Sequence, residues 1–423
     1  MRSSAKWIAI ASCLALAGCQ PAPVATDNRP GAVGVAPPAD VVGVVDADEL
    51  HAAGLQVYWQ SPRLVLSGGE KVARLHRLNE MLYCLTDHNT LIAVSARVGL
   101  TQWPYSVAPP EQTVFAPLHV DDVALPEDVL GIEAITDPGS VPAVVPFDAV
   151  IINTLSYVVV LDRKNGRVVR GPQDVRFNFA ANTGGASNGA MFFVGGINGR
   201  FYGMDLLTGV ESWREGTGKL LTASLRYDDG VLYVGGEDGV FGAWKIAAKQ
   251  EFAWKRTVEG PISADFYVGN NQCFVPCEDR RLYAISADDG TNIWSPFITA
   301  GELRTPVQVS DATVFQYANG DSLYAINRLT GQERWNMPDG RTILAVMEGK
   351  AYVLDKDKMM HVVDELTGEV SATVDMSGLD LLLANTSTPA IYGATRDGDV
   401  FCFRLISAGH LTPAMLEEEI PLR

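Results

Sequence analysis

Apolar and polar residues alternate in short runs along most of this chain, and the runs return at a regular spacing. From about residue 54 onward, runs of four to eight residues rich in Val, Ile, Tyr, Phe and Trp are separated by Gly, Asp and Asn. Such runs are typical of β-strands joined by tight turns. No helical pattern of ten or more residues interrupts them, so the sequence predicts an all-β fold.

A turn glycine followed four residues later by tryptophan marks the repeat. The pattern is clear at Trp213, Trp294 and Trp335, while Trp103 and Trp254 keep their places in looser copies. Successive markers lie about 40 residues apart, and each interval holds four apolar runs. Four-stranded units repeated at this spacing predict a β-propeller.

The two marker residues have different structural roles. The glycine supplies the positive φ that a tight turn needs. The tryptophan falls on the outer strand of its unit, where a large ring can cover the gap between neighbouring blades. We therefore interpret six tryptophans as structural residues of the repeat rather than as a cofactor box: Trp59, Trp103, Trp213, Trp254, Trp294 and Trp335.

The tryptophan position gives seven units, with Arg170 and Ala372 in its place in two of them. Residues 381–405 supply only part of an eighth unit, and Gly54–Trp59 is an isolated tryptophan strand. Pairing these two segments closes a ring and removes free sheet edges. We predict an eight-bladed β-propeller of four-stranded antiparallel blades closed by an N-terminal strand, with seven blades as the alternative.

One interval is too long for a single repeat. Gly99 and Gly166 are 67 residues apart, and the surplus is rich in proline and acidic residues. We assign the propeller to 51–405, with an insertion at 104–140 and a C-terminal tail at 406–423. Insertions in repeat folds often form the binding face, although a passive surface loop is the alternative.

The N-terminus has the features of an export signal. A short basic region precedes the apolar run Trp7–Ala17, which is too short to span a bilayer. The run leads into Leu-Ala-Gly-Cys ending at Cys19, which resembles the bacterial lipobox. The resemblance implies that residues 1–18 are a lipoprotein signal peptide and that Cys19 carries lipid; ordinary secretory cleavage is the alternative.

Residues 19–50 are rich in Pro, Ala, Val and Gly and show neither helical nor alternating periodicity. We interpret them as a disordered tether between the lipid anchor and the propeller. The formal net charge of the whole chain is -17, and no basic run is present. This composition argues against binding to nucleic acid through its phosphates.

The cysteines are predicted to be buried apolar residues. Cys273 and Cys277 lie four residues apart in one predicted strand, about 13 Å along it. A disulfide requires Cα atoms about 5.5 Å apart, so these two should not bond to each other. The sequence leaves the pairing of Cys84 and Cys402 open, since an exported protein can form disulfides.

Motifs of catalytic or metal-binding type fail on their context. Gly185–Gly189 matches G-x-S-x-G, but a strand follows where a nucleophile elbow needs a helix. Asp355–Lys358 resembles the start of a calcium loop without its later ligands, so we predict a hairpin turn. No histidine lies at metal-ligand spacing from a second ligand. We expect no catalytic residue, cofactor or metal.

The segments GDSLYAINRLTGQERW and GRFYGMDLLTGVESW resemble the repeat of propellers related to pyrroloquinoline-quinone enzymes, over about 350 residues of the chain. The quinone dehydrogenases of that superfamily carry an adjacent Cys-Cys pair, which this chain lacks. With the lipobox and the tether, the chain resembles the propeller lipoprotein of the outer-membrane β-barrel assembly machine.

That resemblance implies a non-catalytic, monomeric scaffold at the periplasmic face of the outer membrane of a bacterial cell. Its expected partners are envelope proteins, among them the β-barrel insertase of the outer membrane. The alternatives are a quinoprotein-type dehydrogenase, a propeller that binds a glycan or small ligand, and a structural envelope lipoprotein without a ligand.

Overall fold

Eight four-stranded antiparallel sheets follow one another along the chain, and each corresponds to one interval of the sequence repeat. The computed structural model describes residues 44–126, 144–246 and 251–419. We number the sheets as blades 1 to 8 in chain order and the strands of each blade from first to fourth. The prediction of an eight-bladed β-propeller is confirmed, and the alternative of seven blades is wrong.

The first four blades consist of strands that are consecutive in the chain. Blade 1 contains β2 (Val72–Leu78), β3 (Met81–Thr86), β4 (Thr90–Ser95) and β5 (Thr101–Ser106). Blade 2 contains β6 (Leu118–Pro126), β7 (Val144–Asn153), β8 (Tyr157–Asp162) and β9 (Val168–Arg176). Blade 3 contains β10 (Ala186–Ser187), β11 (Met191–Gly195), β12 (Arg200–Asp205) and β13 (Glu211–Gly216). Blade 4 contains β14 (Arg226–Asp228), β15 (Val231–Gly235), β16 (Val240–Lys245) and β17 (Glu251–Thr257).

The remaining blades include the one that closes the ring. Blade 5 contains β18 (Tyr267–Gly269), β19 (Gln272–Cys277), β20 (Arg281–Ser286) and β21 (Phe297–Ile298). Blade 6 contains β22 (Gln308–Val309), β23 (Thr313–Tyr317), β24 (Leu323–Asn327) and β25 (Glu333–Met337). Blade 7 contains β26 (Gly340–Met347), β27 (Lys350–Asp355), β28 (Met359–Asp364) and β29 (Val370–Asp375). Blade 8 contains β30 (Leu381–Leu382), β31 (Ile391–Ala394), β32 (Val400–Leu405) and, as its outer strand, β1 (Leu55–Gln60).

The N-terminal strand closes the ring as the sequence predicts. Strand β1 pairs antiparallel with β32, with Leu55 opposite Leu405 and Gln60 opposite Phe401. The first described strand of the propeller therefore completes the last blade. This arrangement gives β32 a hydrogen-bonded partner and fastens the two ends of the ring together.

The hydrophobic core is divided among the spaces between blades. Eight clusters of buried side chains are present in the described part of the chain, and each joins two neighbouring blades. Both faces of a middle strand are covered, so β3 is buried at every position. Each blade therefore depends on both neighbours for its burial.

Turns at the two ends of the blades form the two faces of the propeller. We call the end with the marker glycines, in the turn between the third and fourth strands, the glycine face. Because the strands are antiparallel, the turn between the first and second strands lies at the same end. Residues 127–143 lie between β6 and β7 in the sequence and are outside the described residues.

The structure narrows the insertion predicted at 104–140. Strand β5 continues to Ser106, and β6 covers Leu118–Pro126 as the first strand of blade 2. Asp122 has a φ of 53°, and the pairing of β6 with β7 shifts between Val120 and Val123. This bulge interrupts the alternation of apolar and polar residues, which is why the strand resembled an insertion in the sequence.

Three helices of the described ranges lie outside the blades. Helix α1 (Ala47–Ala52) precedes β1, and Asp46 caps it by accepting hydrogen bonds from the backbone N–H groups of Asp48 and Glu49. A 3-10 turn (Ile406–Ala408) and helix α2 (Pro413–Glu419) follow β32. No helix among the described residues is long and apolar enough to cross a membrane.

Candidate functional site

Five tryptophans make the same contact across the seams between blades. Each indole ring lies against the marker glycine of the following blade, and each indole N–H donates to the carbonyl three residues before that glycine. The hydrogen bonds run from Trp59 to Ala96 (3.1 Å), Trp103 to Arg163 (2.9 Å), Trp254 to Ala287 (2.9 Å), Trp294 to Arg328 (3.2 Å) and Trp335 to Glu365 (2.9 Å). The tryptophans are thus engaged in structural contacts.

The marker glycine is required by this contact as well as by the turn. Gly331 has a φ of 71°, and a Cβ there would lie 2.5 Å from the Trp294 ring. A side chain at this position would be strained by its backbone conformation and would also push the indole away. The spacing of glycine and tryptophan in the sequence therefore reflects two residues that meet across adjacent blades.

Two tryptophans differ from the simple pattern. Trp294 precedes the short strand β21 instead of lying within it. Pro296, between Trp294 and β21, has no N–H to donate, which limits the length of an outer strand. The ring of Trp213 packs against Phe193 and Phe201 of its own blade. Its expected partner turn, residues 247–250, lies outside the described residues.

Arg170 occupies the tryptophan position of blade 2 and reproduces the hydrogen bond. Its Nε donates to the carbonyl of Leu206 at 2.9 Å. Leu206 lies three residues before Gly209, the same position that accepts from indole in the other seams. The Arg170 guanidinium group therefore replaces the indole N–H as hydrogen-bond donor, although it has no apolar ring to cover the seam.

A cleft of about 450 Å³ opens where blades 1 and 2 meet. Its walls include Glu80 from the β2–β3 turn, Asp148 from β7 and Arg163 from the β8–β9 turn. All three elements end at the glycine face. The cleft therefore opens at the end of the blades that carries the marker glycines.

Arg163 is the centre of the charged groups in this cleft. Its side chain is only 11% exposed and pairs with Asp121 (2.7 Å), Asp148 (2.5 Å) and Glu80 (3.4 Å). The hydrogen bond from Arg163 lowers the pKa of Asp148 below its usual value. One guanidinium group thus holds together carboxylates from three separate elements, which fixes the geometry of the cleft.

His119 extends this network into the seam. Burial, together with the neighbouring Arg163 charge, lowers the pKa of His119 to about 4, so the ring is neutral at physiological pH. Its Nδ1 lies 3.1 Å from Nη1 of Arg163, which can only donate, so Nδ1 accepts. The proton is then on Nε2, which donates to the Tyr83 hydroxyl at 2.7 Å. The sequence analysis missed this cluster because its members are scattered along the chain.

The cysteines and the rejected motifs lie where the sequence analysis expected. Cys84, Cys273, Cys277 and Cys402 are buried and free, and burial raises the pKa of each thiol to about 12. The absence of a Cys273–Cys277 bond is confirmed. Ser187, in the G-x-S-x-G segment, donates to the Met191 carbonyl across a hairpin, and Asp355–Lys358 forms the β27–β28 turn.

Cys19, the predicted lipidation site, lies outside the described residues, as do the signal segment and residues 19–43. Within the described ranges, no group of three or more His, Cys, Asp or Glu side chains is arranged to hold a metal ion.

Sequence comparisons identify one group of relatives. A family model described as "Outer membrane protein assembly factor BamB" matches residues 197–307 and 298–407. The protein of that name from Burkholderia pseudomallei is 30% identical over 155 residues, which are 36% of this chain and 40% of the relative. The namesake from Nitrosomonas eutropha is 28% identical over 169 residues, or 38% and 40% of the two chains. The matches thus span about two fifths of these relatives.

Structural comparisons extend the likeness of fold to most of the chain. BamB from Moraxella catarrhalis superposes with a TM-score of 0.60 at 16% identity, covering 85% of this chain and 99% of that one. The computationally designed Ika8 protein gives a TM-score of 0.59 at 17% identity, covering 82% and 99%. At such identities the structures support the fold alone. Together with the sequence matches, they support a BamB-like propeller of pyrroloquinoline-quinone-type repeats.

Proposed function

We propose that this protein is a non-catalytic, lipid-anchored scaffold that takes part in outer-membrane protein assembly from the periplasmic side. In this role the propeller binds envelope proteins, including the β-barrel insertase, and Cys19 carries the lipid that holds it at the membrane. The propeller acts as a monomer and needs no cofactor.

The main support is the sequence likeness to relatives named outer membrane protein assembly factors. The family model matches the chain from blade 3 to blade 8. The seams are occupied by structural contacts, which leaves the turns and the cleft between blades 1 and 2 to meet partners. Surfaces of this kind suit a protein that positions other proteins.

Co-purification from solubilised membranes tests the partner. The full-length, lipid-modified protein is captured through a C-terminal tag after mild crosslinking, and the insertase is detected with an antibody. We expect the insertase to be recovered. Its absence under conditions that preserve the rest of the assembly machine would contradict the proposal.

A deletion tests whether the insertion contributes to this binding. Residues 127–143 are replaced by an Asn-Gly turn between β6 and β7, because deletion of all of 104–140 would remove strand β6. We expect recovery of the insertase to fall at least tenfold if the segment contacts it. A variant with Arg167 in the neighbouring turn changed to Ser is the control, and its recovery should equal that of the wild type.

A cysteine substitution tests the anchor separately. Cells are grown with an alkyne-labelled fatty acid, and incorporation into the wild type and Cys19→Ala is compared. We expect label in the wild-type protein alone and release of the variant from the membrane fraction. Equal labelling of both would show that lipid is attached elsewhere or that the label is unspecific, and it would remove Cys19 from the proposal.

A further inference from the structure

The turn between the third and fourth strands presents one side chain two residues before the marker glycine. In blades 1, 2 and 5 that residue is charged: Arg97, Lys164 and Asp288. In blades 3, 6 and 7 it is leucine: Leu207, Leu329 and Leu366. These leucine residues are 41%, 77% and 53% exposed. The repeat itself does not require an apolar residue at this position, because charged residues occupy it in other blades.

Two of the leucines occupy equivalent turns of neighbouring blades, because blades 6 and 7 are adjacent. Leu329 and Leu366 follow each other around the glycine face, and Val370, which is 48% exposed, begins the outer strand of blade 7. We call these three residues the blade 6–7 strip. Exposed apolar side chains gathered at neighbouring turns are typical of a protein interaction site.

Three carboxylates lie at the same end of blades 6 and 7 as the strip. Asp311, Glu333 and Glu369 are exposed at the same end of blades 6 and 7, and none of them forms an ion pair with another described residue. The nearby cations make other contacts. The half-buried Arg334, next to Glu333 in β25, donates to the Ala312 carbonyl at 3.4 Å and forms no ion pair with these carboxylates among the described residues. Lys350 pairs with Asp364 at 3.5 Å, and the buried Arg328 donates to Gln272 and to the Ser310 carbonyl.

The charge of the surroundings selects among the possible occupants. A second copy of this chain, with its formal charge of -17, would bring further carboxylates against Asp311, Glu333 and Glu369. An anionic lipid surface would be repelled for the same reason. A partner that combines apolar side chains with Lys or Arg would cover the strip and also neutralise the carboxylates.

We propose that the blade 6–7 strip is a docking site for a protein segment that is both apolar and basic. Leu329, Leu366 and Val370 supply the apolar contact, and Asp311, Glu333 and Glu369 supply the complementary charge. The site lies away from the cleft between blades 1 and 2. The inference does not depend on the role proposed above in outer-membrane assembly.

Binding of a synthetic probe tests the proposal. The probe is an amphipathic helical peptide with leucines on one face and lysines on the other, and its affinity for the full propeller is measured by fluorescence anisotropy. We expect the double variant Leu329→Ser, Leu366→Ser to bind at least tenfold more weakly. Leu207→Ser is the matched control at the same turn position of blade 3, and its affinity should stay within twofold of the wild type.

Two further measurements separate the apolar and ionic contributions. The double variant Glu333→Gln, Glu369→Gln should weaken binding severalfold at low salt, with a smaller difference at high salt. A counterpart peptide with glutamate in place of lysine should bind much more weakly. Because all substituted side chains are exposed, thermal unfolding should show every variant as stable as the wild type.

Three outcomes would overturn the proposal. The Leu329→Ser, Leu366→Ser variant could bind the lysine peptide as well as the wild type does. The glutamate peptide could bind as tightly as the lysine peptide. Sedimentation could also show a dimer that the leucine substitutions dissociate, in which case the strip is an interface between copies of this chain.

Discussion

The two seams on either side of blade 7 are filled by different residues. One lies between blades 6 and 7, and the other lies between blades 7 and 8. In the first, Trp335 lies on Gly368 and its indole N–H donates to the Glu365 carbonyl at 2.9 Å. In the second, the tryptophan position holds Ala372, and a Cβ on the matching turn glycine, Gly409, would meet nothing within 4 Å. The sequence irregularity therefore corresponds to a real gap in the tryptophan pattern.

Helix α1 fills the space that Ala372 leaves. Val45 and Leu50 are buried in one cluster that also packs Ala372 and joins blades 7 and 8. The Glu49 carboxylate accepts a hydrogen bond from the backbone N–H of Asp375 at 2.9 Å. The helix is thus fixed to the outer strand of blade 7 while the next strand, β1, completes blade 8.

The comparison shows that a seam can be sealed from within the repeat or by a segment outside it. A tryptophan within the repeat depends on one side chain and one glycine. Helix α1 and its flanking residues, which precede the first strand in the sequence, instead contribute several buried side chains to the seam between blades 7 and 8. Substitutions that disrupt α1 should therefore destabilise the packing of blade 8. Substitutions of Trp335 should destabilise the packing between blades 6 and 7.

Replacing Trp335 with alanine should have the largest effect on stability. The substitution removes a buried ring and leaves the Glu365 carbonyl without its indole donor, so we expect a loss of about 3–5 kcal/mol. Unfolding in urea measures it. Trp335→Phe keeps a ring but no N–H donor and should lose less. A loss below about 1 kcal/mol for Trp335→Ala would show that the ring does not seal the seam.

Leu50→Ala tests the helical seal of the other seam. Leu50 is buried, and a buried leucine changed to alanine commonly loses about 3 kcal/mol. We expect faster hydrogen exchange in β1 and β29 and unchanged exchange in β24. His51→Ala, an exposed change in the same helix, is the control. Uniformly faster exchange in every blade would argue against a local seal.

Alanine at two turn glycines of blade 7 tests the contact between Trp335 and its marker glycine. Gly368 and Gly349, which lies in the β26–β27 turn, have similar φ values of 79° and 73°, so alanine should cost each about 1 kcal/mol for its backbone conformation. At Gly368 the new Cβ would also lie 2.7 Å from Trp335, whereas at Gly349 it would meet nothing within 4 Å. We therefore expect Gly368→Ala to be less stable than Gly349→Ala by about 1–2 kcal/mol. Equal losses in urea unfolding would contradict this interpretation.

Arg170→Met should have the smallest effect. It removes the hydrogen bond to the Leu206 carbonyl but keeps most of the apolar length of the side chain, so we expect a loss of about 1 kcal/mol. Arg167→Met in the adjacent exposed turn is the matched control and should change stability little. If the two variants unfold at the same urea concentration, the hydrogen bond of Arg170 does not stabilise its seam.

Much of the fold could be predicted because its determinants are local. The Gly331–Trp335 segment and its copies define the interval, and the isolated strand ending at Trp59 indicates how the ring closes. Strand β6 was hidden, since the bulge at Asp122 interrupts its alternation. A composition rich in proline and acidic residues around it then favoured an insertion over a strand.

The candidate site was less predictable because it depends on residues far apart in the chain. His119 meets Tyr83 across 36 positions and Arg163 across 44. No spacing in the sequence connects these three residues. The apolar strip is intermediate, because Leu329 and Leu366 occupy equivalent turn positions that the repeat makes visible, whereas their exposure becomes evident only in the folded ring.

The sequence by itself determined the number of blades, their strands and the closure of the ring, because turn glycines and short apolar runs act over a few residues. Tertiary structure decided what fills each seam and which charges meet between blades. Glu49 and Asp375 lie 326 positions apart, yet they form a hydrogen bond at the seam where Ala372 stands in the tryptophan position. Such contacts depend on the closure of the ring, which brings the N-terminal helix to this seam.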